Sequence, residues 1–330
     1  MASLLRRASH NFVRSLTQRK VSSNSVPLLL SPTQVSDLAK SSTPVSILDA
    51  TWFMPGSPRN ARNEYLAKHL PGAQFLDLDE VASPHELGLK HMMPEERVFA
   101  SACEKLGIEP SSHVVIYDAH GVFSSPRALF MFRSFGHEKS SIINGGLPRW
   151  VDEGLPVDNQ PPTDPGPTVY PSPAFNKGAI RSYDQVVSNS SLDPAIDPTA
   201  ELVLDARARG RYLGTDPEPR PGLSSGHIPN SLSLPFNLFL QKHNAKDGSE
   251  YTTFLPQAEL RQTLHNSVGA DRAEQIIKGE KYVVTSCGSG MTAGVLWLGL
   301  KLLGVDNVSL YDESWTGYAM RSTSKINKSL

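Results

Sequence analysis

The stretch Tyr282-Val283-Val284-Thr285-Ser286-Cys287-Gly288-Ser289-Gly290-Met291-Thr292-Ala293 joins a strand, a thiol and the start of a helix. A β-rich apolar run ends at Cys287, a Gly-x-Gly turn follows, and an apolar helical pattern runs from Ala293 to Leu303. That order puts the sulfur at a strand's C-terminal end and over a helix N-terminus. Backbone N–H groups of Gly288 to Thr292 can converge there, and such a nest favours an anion on the sulfur. The stretch therefore reads as a site for nucleophilic cysteine chemistry. A strand-end cysteine alone reads more readily as a small buried hydrophobe. The glycines flanking Ser289 weigh the other way, because they suit a backbone that curls around a bound group.

The same order recurs earlier in the chain. Ser46-Ile47-Leu48-Asp49-Ala50-Thr51 corresponds to Leu202-Val203-Leu204-Asp205-Ala206-Arg207, and His69-Leu70-Pro71-Gly72-Ala73 to His227-Ile228-Pro229-Asn230-Ser231. Val114 to Asp118 corresponds to Val283 to Cys287, and Ile142 to Gly146 matches Ser309 to Glu313 more loosely. Landmarks repeated in one order imply duplication into two similar domains rather than a solenoid of short repeats. Asp118 stands where the second half has Cys287, so the first half reads as supporting and the second as catalytic.

Residues 158–178 are rich in proline, which cannot sustain a helix or an inner strand, and read as a stiff linker. Within each half, short β-branched runs alternate with helical patterns. The clearest helices are Ala128 to Phe135 and Ala293 to Leu303. The fold class expected is α/β, two tandem domains over residues 28–157 and 179–325, each a mostly parallel sheet with helices on both faces. In such sheets ligands bind outside the strands' C-terminal ends, where Cys287 lies.

Composition narrows the classes. A chain of 330 residues suits two domains, and a net charge of −1 supplies no field for nucleic acid or an anionic membrane. Cys103 and Cys287 are the only cysteines, too few for a disulfide scaffold and without a CxxC metal pair. Cys103 falls in a predicted helix, Glu95 to Leu106, facing the core. No apolar run reaches about 18 residues, so no membrane span is expected. Residues 1–36 lack Asp and Glu but carry Arg6, Arg7, Arg14, Arg19 and Lys20, with Leu4, Leu5, Ala8, Phe12 and Leu16 able to share a helix face. Residues 1–25 thus read as a mitochondrial transit peptide.

Taken together, these residues resemble the two-domain sulfurtransferases of the rhodanese superfamily, over roughly residues 28–325. Cys287-Gly288-Ser289-Gly290-Met291-Thr292-Ala293 is similar to the active loop of its 3-mercaptopyruvate branch, with Met291 where Val is usual. Gly210 to Arg220 resembles that branch's substrate segment, and Gly226-His227-Ile228-Pro229 and Asp312-Glu313-Ser314-Trp315 are further shared landmarks. The resemblance implies a Cys287 persulfide, formed from 3-mercaptopyruvate with release of pyruvate and emptied by a thiol, cyanide or a sulfur-acceptor protein such as thioredoxin. It implies that Arg211 and Arg220 hold the donor's carboxylate and keto oxygen, and that Gly288, Gly290, Met291 and Thr292 line the sulfur. A planar keto acid and a planar guanidinium fork are matched on physical grounds also.

Thiosulfate-preferring relatives carry Arg-Lys after the cysteine, whereas Gly288 and Ser289 are neutral, which suits a monoanionic keto acid. The resemblance also implies a relay from Ser289 through a first-domain histidine and acid. His69 matches the histidine, with Asn60 where an Asp is expected. No cofactor and no metal are implied, and the mitochondrial matrix is the expected location, with the cytoplasm as a second. A cysteine phosphatase or arsenate reductase would need Arg six residues after the cysteine, where Ala293 stands. A non-catalytic binding module of the same superfamily would be expected to lose the nucleophile. A thiosulfate:cyanide sulfurtransferase, or a sulfur relay feeding tRNA thiolation, would share this site and stays open. No basic, aromatic-interleaved stripe points to direct RNA binding.

Overall fold

The computed structural model describes residues 26–329 except 167; the leader expected over residues 1–25 lies outside the described residues. Two five-stranded parallel sheets form, one per half. In the first, β1 (Leu29–Leu30), β2 (Val45–Asp49), β3 (Gln74–Phe75), β4 (His113–Tyr117) and β5 (Ser140–Ile143) lie in the order β1-β5-β4-β2-β3. In the second, β6 (Ile180–Arg181), β7 (Leu202–Asp205), β8 (Leu232–Ser233), β11 (Val283–Ser286) and β12 (Val308–Tyr311) repeat it as β6-β12-β11-β7-β8, with β9 and β10 forming a separate hairpin. The central strands β4 and β11 are buried throughout, as expected of strands covered on both faces.

The helices after β4 and β11, Ser125–Ser134 and Ala293–Leu302, are buried along almost their whole length; the second is apolar but for Lys301, and the first carries Arg127 and Arg133 among its apolar residues. They pack on each other. A Cβ built on Gly294 would fall 2.8 Å from the Arg127 nitrogen and 2.9 Å from its Cα, so the two backbones touch there. Phe130 and Trp297 meet edge to face with centroids 5.2 Å apart, and one core cluster runs through both halves. The halves are therefore fused across a shared core.

The hairpin of β9 (Leu240–Asn244) and β10 (Glu250–Phe254) is antiparallel. It crosses the end of the first sheet. The Thr252 N–H donates to His120 O at 3.3 Å, the Phe254 N–H to Asn144 Oδ1 at 2.8 Å, and the Lys246 N–H to Asp152 Oδ1 at 2.8 Å. Gly121, at φ +100°, permits this crossing, since a Cβ there would lie 2.4 Å from Thr252 O.

The duplication is not electrostatically even. Asp205, at the end of β7, is held by the Arg207 guanidinium, with Nη2 2.6 Å from Oδ2. Its counterpart Asp49 is equally buried, but Thr51 stands at the position of Arg207. Burial pushes the Asp49 carboxyl up to about 6, against opposing bonds from Thr51 and Tyr117. A carboxyl raised in the folded state supports the fold fully below its unfolded value and loses that contribution as pH rises through about 6. Asp49→Asn is expected to raise the melting temperature at about pH 7 and to leave it little changed below about pH 4. Thermal unfolding across that range checks this; an equal or lower melting temperature at neutral pH contradicts it.

Candidate functional site

Cys287 follows the last residue of β11 and is 2% exposed. The Gly290 N–H donates to its Sγ at 3.2 Å. The loop is held from behind by the turn after β12. The Cys287 N–H donates to Ser314 Oγ at 3.1 Å, Trp315 N–H to Cys287 O at 2.9 Å, and Thr316 N–H to Gly288 O at 2.9 Å. The Asp312–Trp315 landmark is thus the loop's support. Gly290 has φ +86°, and a Cβ there would lie 2.8 Å from Asp312 O. Met291 is buried in the core and Thr292 begins the helix, while Ser289 is half-buried and forms no hydrogen bond among the described residues.

Two guanidinium groups face this loop. A Cβ on Gly288 would lie 3.2 Å from Arg211 Nη2 and 3.5 Å from Arg220 Nη1. Arg211 is oriented by the buried Glu218, which accepts from its Nη2 at 2.6 Å and its Nε at 3.2 Å. Arg220 has no ion pair or hydrogen bond among the described residues. Burial pushes its guanidinium down; the Cys287 sulfur opposes that shift, and neighbouring Arg211 adds to it. A half-buried cation with no partner, beside a thiol, is positioned to receive an anion. Arg207 is different in kind: it is fully buried, bonded to Asp205, Glu218 and Gly226 O, with its Cζ 4.1 Å over the Trp315 ring. Arg209 is exposed.

The first half shows what the nest does when it is filled. Asp118 Oδ2 accepts from the N–H groups of Phe123, Ser124 and Ser125 at 2.9, 3.1 and 2.9 Å and from Ser125 Oγ at 2.7 Å. Oδ1 accepts from His120 N–H at 2.9 Å. The carboxylate satisfies the loop from within, and nothing reactive remains. Cys103, in the helix Glu96–Lys105, is buried and burial pushes its thiol up, so it stays a neutral core side chain.

His69 is engaged locally. Its Nδ1 bonds Tyr65 O at 2.8 Å, its ring lies 4.6 Å from that of Tyr65, and its backbone bridges to Asp158. His227 repeats this in the second half, with Nδ1 2.9 Å from Tyr212 O, ring centroids 4.1 Å apart and a backbone bridge to Asn327. The same contacts serve both halves, and among the described residues no hydrogen bond joins His69 to Ser289. Asn60 caps a helix by accepting from Asn63 N–H at 2.9 Å.

The first-half pair beside the loop is Asp79 and His91. Asp79 Oδ1 lies 2.8 Å from His91 Nδ1, and Asp79 is among the charges acting on Arg220. Burial pushes the Asp79 carboxyl up, but the His91 bond and charge outweigh it and hold the group below its usual range. His91 Nε2 is buried without a partner, and His91 O accepts from Arg127. The only sequence cue was a histidine in a loop of the supporting half, with no periodicity to mark it.

A model of the rhodanese-like domain matches residues 31–153 and 188–321. The chain belongs to the rhodanese family. The chain is 40% identical over 276 residues to the probable 3-mercaptopyruvate sulfurtransferase of Schizosaccharomyces pombe, covering 84% of this chain and 87% of that protein. It is 38% identical over 294 residues to the mitochondrial thiosulfate/3-mercaptopyruvate sulfurtransferase 1 of Arabidopsis thaliana, covering 83% of this chain and 72% of that one. Among solved structures, SseA of Escherichia coli, described as a 3-mercaptopyruvate sulfotransferase, superposes with a TM-score of 0.72 at 30% identity over 88% of this chain and 99% of its own.

The arginines of this site are expected to separate cleanly on mutation. Arg207→Met leaves Asp205 and Glu218 buried and short of a cation, and should lower stability by about 3–5 kcal/mol. Arg220→Met should leave stability nearly unchanged while cutting keto-acid efficiency about ten- to a hundredfold, the loss of a charge-assisted bond worth about 1.5–3 kcal/mol. Denaturant melts and kcat/KM measured on the same samples check both; a destabilised, fully efficient Arg220 variant contradicts the assignment.

Proposed function

We propose that the protein is a sulfurtransferase that takes a sulfane sulfur from 3-mercaptopyruvate onto Cys287, releases pyruvate and passes the sulfur to a second thiol. The observation that carries this is the half-buried Arg220 with no partner, beside a thiol already gripped by a loop N–H. The Cys287 sulfur forms a bond to the donor's sulfur as the donor's carbon–sulfur bond breaks. The electrons of that bond leave as the enolate of pyruvate, which then takes a proton. Arg211 and Arg220 hold the carboxylate and keto oxygen and so favour the enolate. The N–H groups of Gly288, Gly290, Met291 and Thr292 stabilise the persulfide anion.

The Ser289 hydroxyl gives the enolate its proton and is resupplied by His91, which Asp79 orients, in place of a route through His69. Unpartnered Nε2 faces a task, Nδ1 is fixed by Asp79, and both residues belong to the supporting domain. Thiosulfate is the second donor, in keeping with the name of the Arabidopsis relative; the uncharged Gly288 and Ser289 place the keto acid first. The acceptor is a small thiol or a sulfur-acceptor protein of thioredoxin type. The basic leader and the mitochondrial relative support a mitochondrial location. No helix among the described residues is long and apolar enough to cross a membrane.

Rapid mixing with 3-mercaptopyruvate and no acceptor tests this reading. The wild type should release one pyruvate per chain in a burst, and Cys287→Ser none. His91→Gln should slow that burst about a hundredfold, whereas His69→Gln should lower the melting temperature and spare the burst. An unslowed His91 variant beside a slowed His69 variant would return the relay to His69.

A further inference from the structure

Arg127 belongs to the supporting half, yet its guanidinium lies against the catalytic loop. It is 2% exposed, in the first turn of the helix Ser125–Ser134. Nη2 donates to His91 O at 2.7 Å and to Asp312 Oδ1 at 2.6 Å, and the other Asp312 oxygen accepts from Met93 N–H at 2.8 Å. Asp312 is thereby occupied entirely by donors from the first half. Nη1 is buried and has no partner, and it would lie 3.3 Å from a Cβ on Gly290.

The loop has a matching deficit. Its outward carbonyls at Cys287, Gly288, Met291 and Thr292 accept from Trp315, Thr316, Gly294 and Val295 respectively. Those of Ser289 and Gly290 accept no hydrogen bond among the described residues. These carbonyls belong to the peptide units that carry the Gly290 and Met291 N–H groups, and the former already points at Cys287 Sγ. In a trans peptide the carbonyl points opposite to the N–H. Turning these N–H groups further onto an anionic outer sulfur therefore turns their carbonyls away from it. A buried donor left open is costly, so it is kept where some state of the molecule uses it.

We propose that Arg127 is a positioning residue for the sulfur-loaded loop. When sulfur loads on Cys287, Nη1 takes the Ser289 or Gly290 carbonyl, and the supporting domain thereby fixes the peptide units whose N–H groups hold the anion. A donor on a carbonyl also polarises the N–H of the same peptide, which strengthens its grip. This rests on the Cys287 persulfide proposed above. A plain clamp between domains would need only Nη2 and Asp312, and the open Nη1 at Gly290 is what it does not explain.

The test compares the full-length wild type with Arg127→Gln/Asp312→Asn, which removes both charges and keeps a hydrogen-bonding pair. Amide exchange over a peptide spanning 286–292 is measured before and after loading with 3-mercaptopyruvate, and the lifetime of the persulfide is followed by mass without acceptor. Loading should slow exchange in the wild type. The double variant should load, show no slowing, and lose its sulfur about tenfold faster. A folded variant that keeps wild-type protection and lifetime overturns the proposal and leaves Arg127 a clamp. If the variant does not fold, the wild-type arm decides, because unchanged exchange on loading overturns the proposal by itself. Absence of any persulfide on the wild type overturns the functional reading and this inference together, whereas a persulfide with unchanged exchange overturns this inference alone.

Discussion

The close approach of two helix backbones at Gly294 is the constraint on which the rest depends. The helices Ser125–Ser134 and Ala293–Leu302 are buried along almost their whole length, and each covers the other. A side chain at 294 would meet the Arg127 backbone at 2.8–2.9 Å and force the two helices apart. One helix starts at the cysteine loop and the other starts at the loop holding Asp118. Their contact therefore sets where the first half's groups fall against Cys287. Packing tolerates little change in volume, so it holds Arg127, and the His91 carbonyl bonded to it, at a set place against the loop.

Two copies of one fold have met the same physical demands in different ways. The turn after the central strand produces converging N–H groups in both halves, and buried donors need an acceptor. In the first half Asp118 supplies it permanently, with five bonds. In the second the acceptor is a sulfur that takes one, so the loop retains capacity for an incoming anion. The asymmetry at Asp49 and Asp205 has the same character. Where the second half placed Arg207 to neutralise a buried carboxylate and, through Glu218, to orient Arg211, the first half has only Thr51.

Much of this was legible in the sequence. The strand–Cys–Gly-x-Gly–helix order located the strand-end thiol over a helix start, and the repeated landmarks located its counterpart at Asp118. Both rest on local chemistry. What the sequence hid depends on contacts between distant segments. The β9–β10 hairpin is polar and weakly patterned, and its place follows from its fit over Gly121. His91 sits in a loop with no periodicity or motif to mark it, whereas the match of His69 to His227 was visible in the repeated landmarks. The resemblance singled out Arg211 rather than Arg207, but the buried Glu218 that orients Arg211 is announced by no local pattern. Arg127 carries no local mark of its place in the sequence, and it is enclosed at the junction of the two halves.

The most direct measurement is the mass of peptides from protein loaded with 3-mercaptopyruvate, without acceptor, and digested under non-reducing conditions. The account predicts one added sulfur atom on the peptide containing Cys287, removed on adding a thiol, and none on the peptide containing Cys103. Sulfur on Cys103, or on neither cysteine while pyruvate is released, would contradict it.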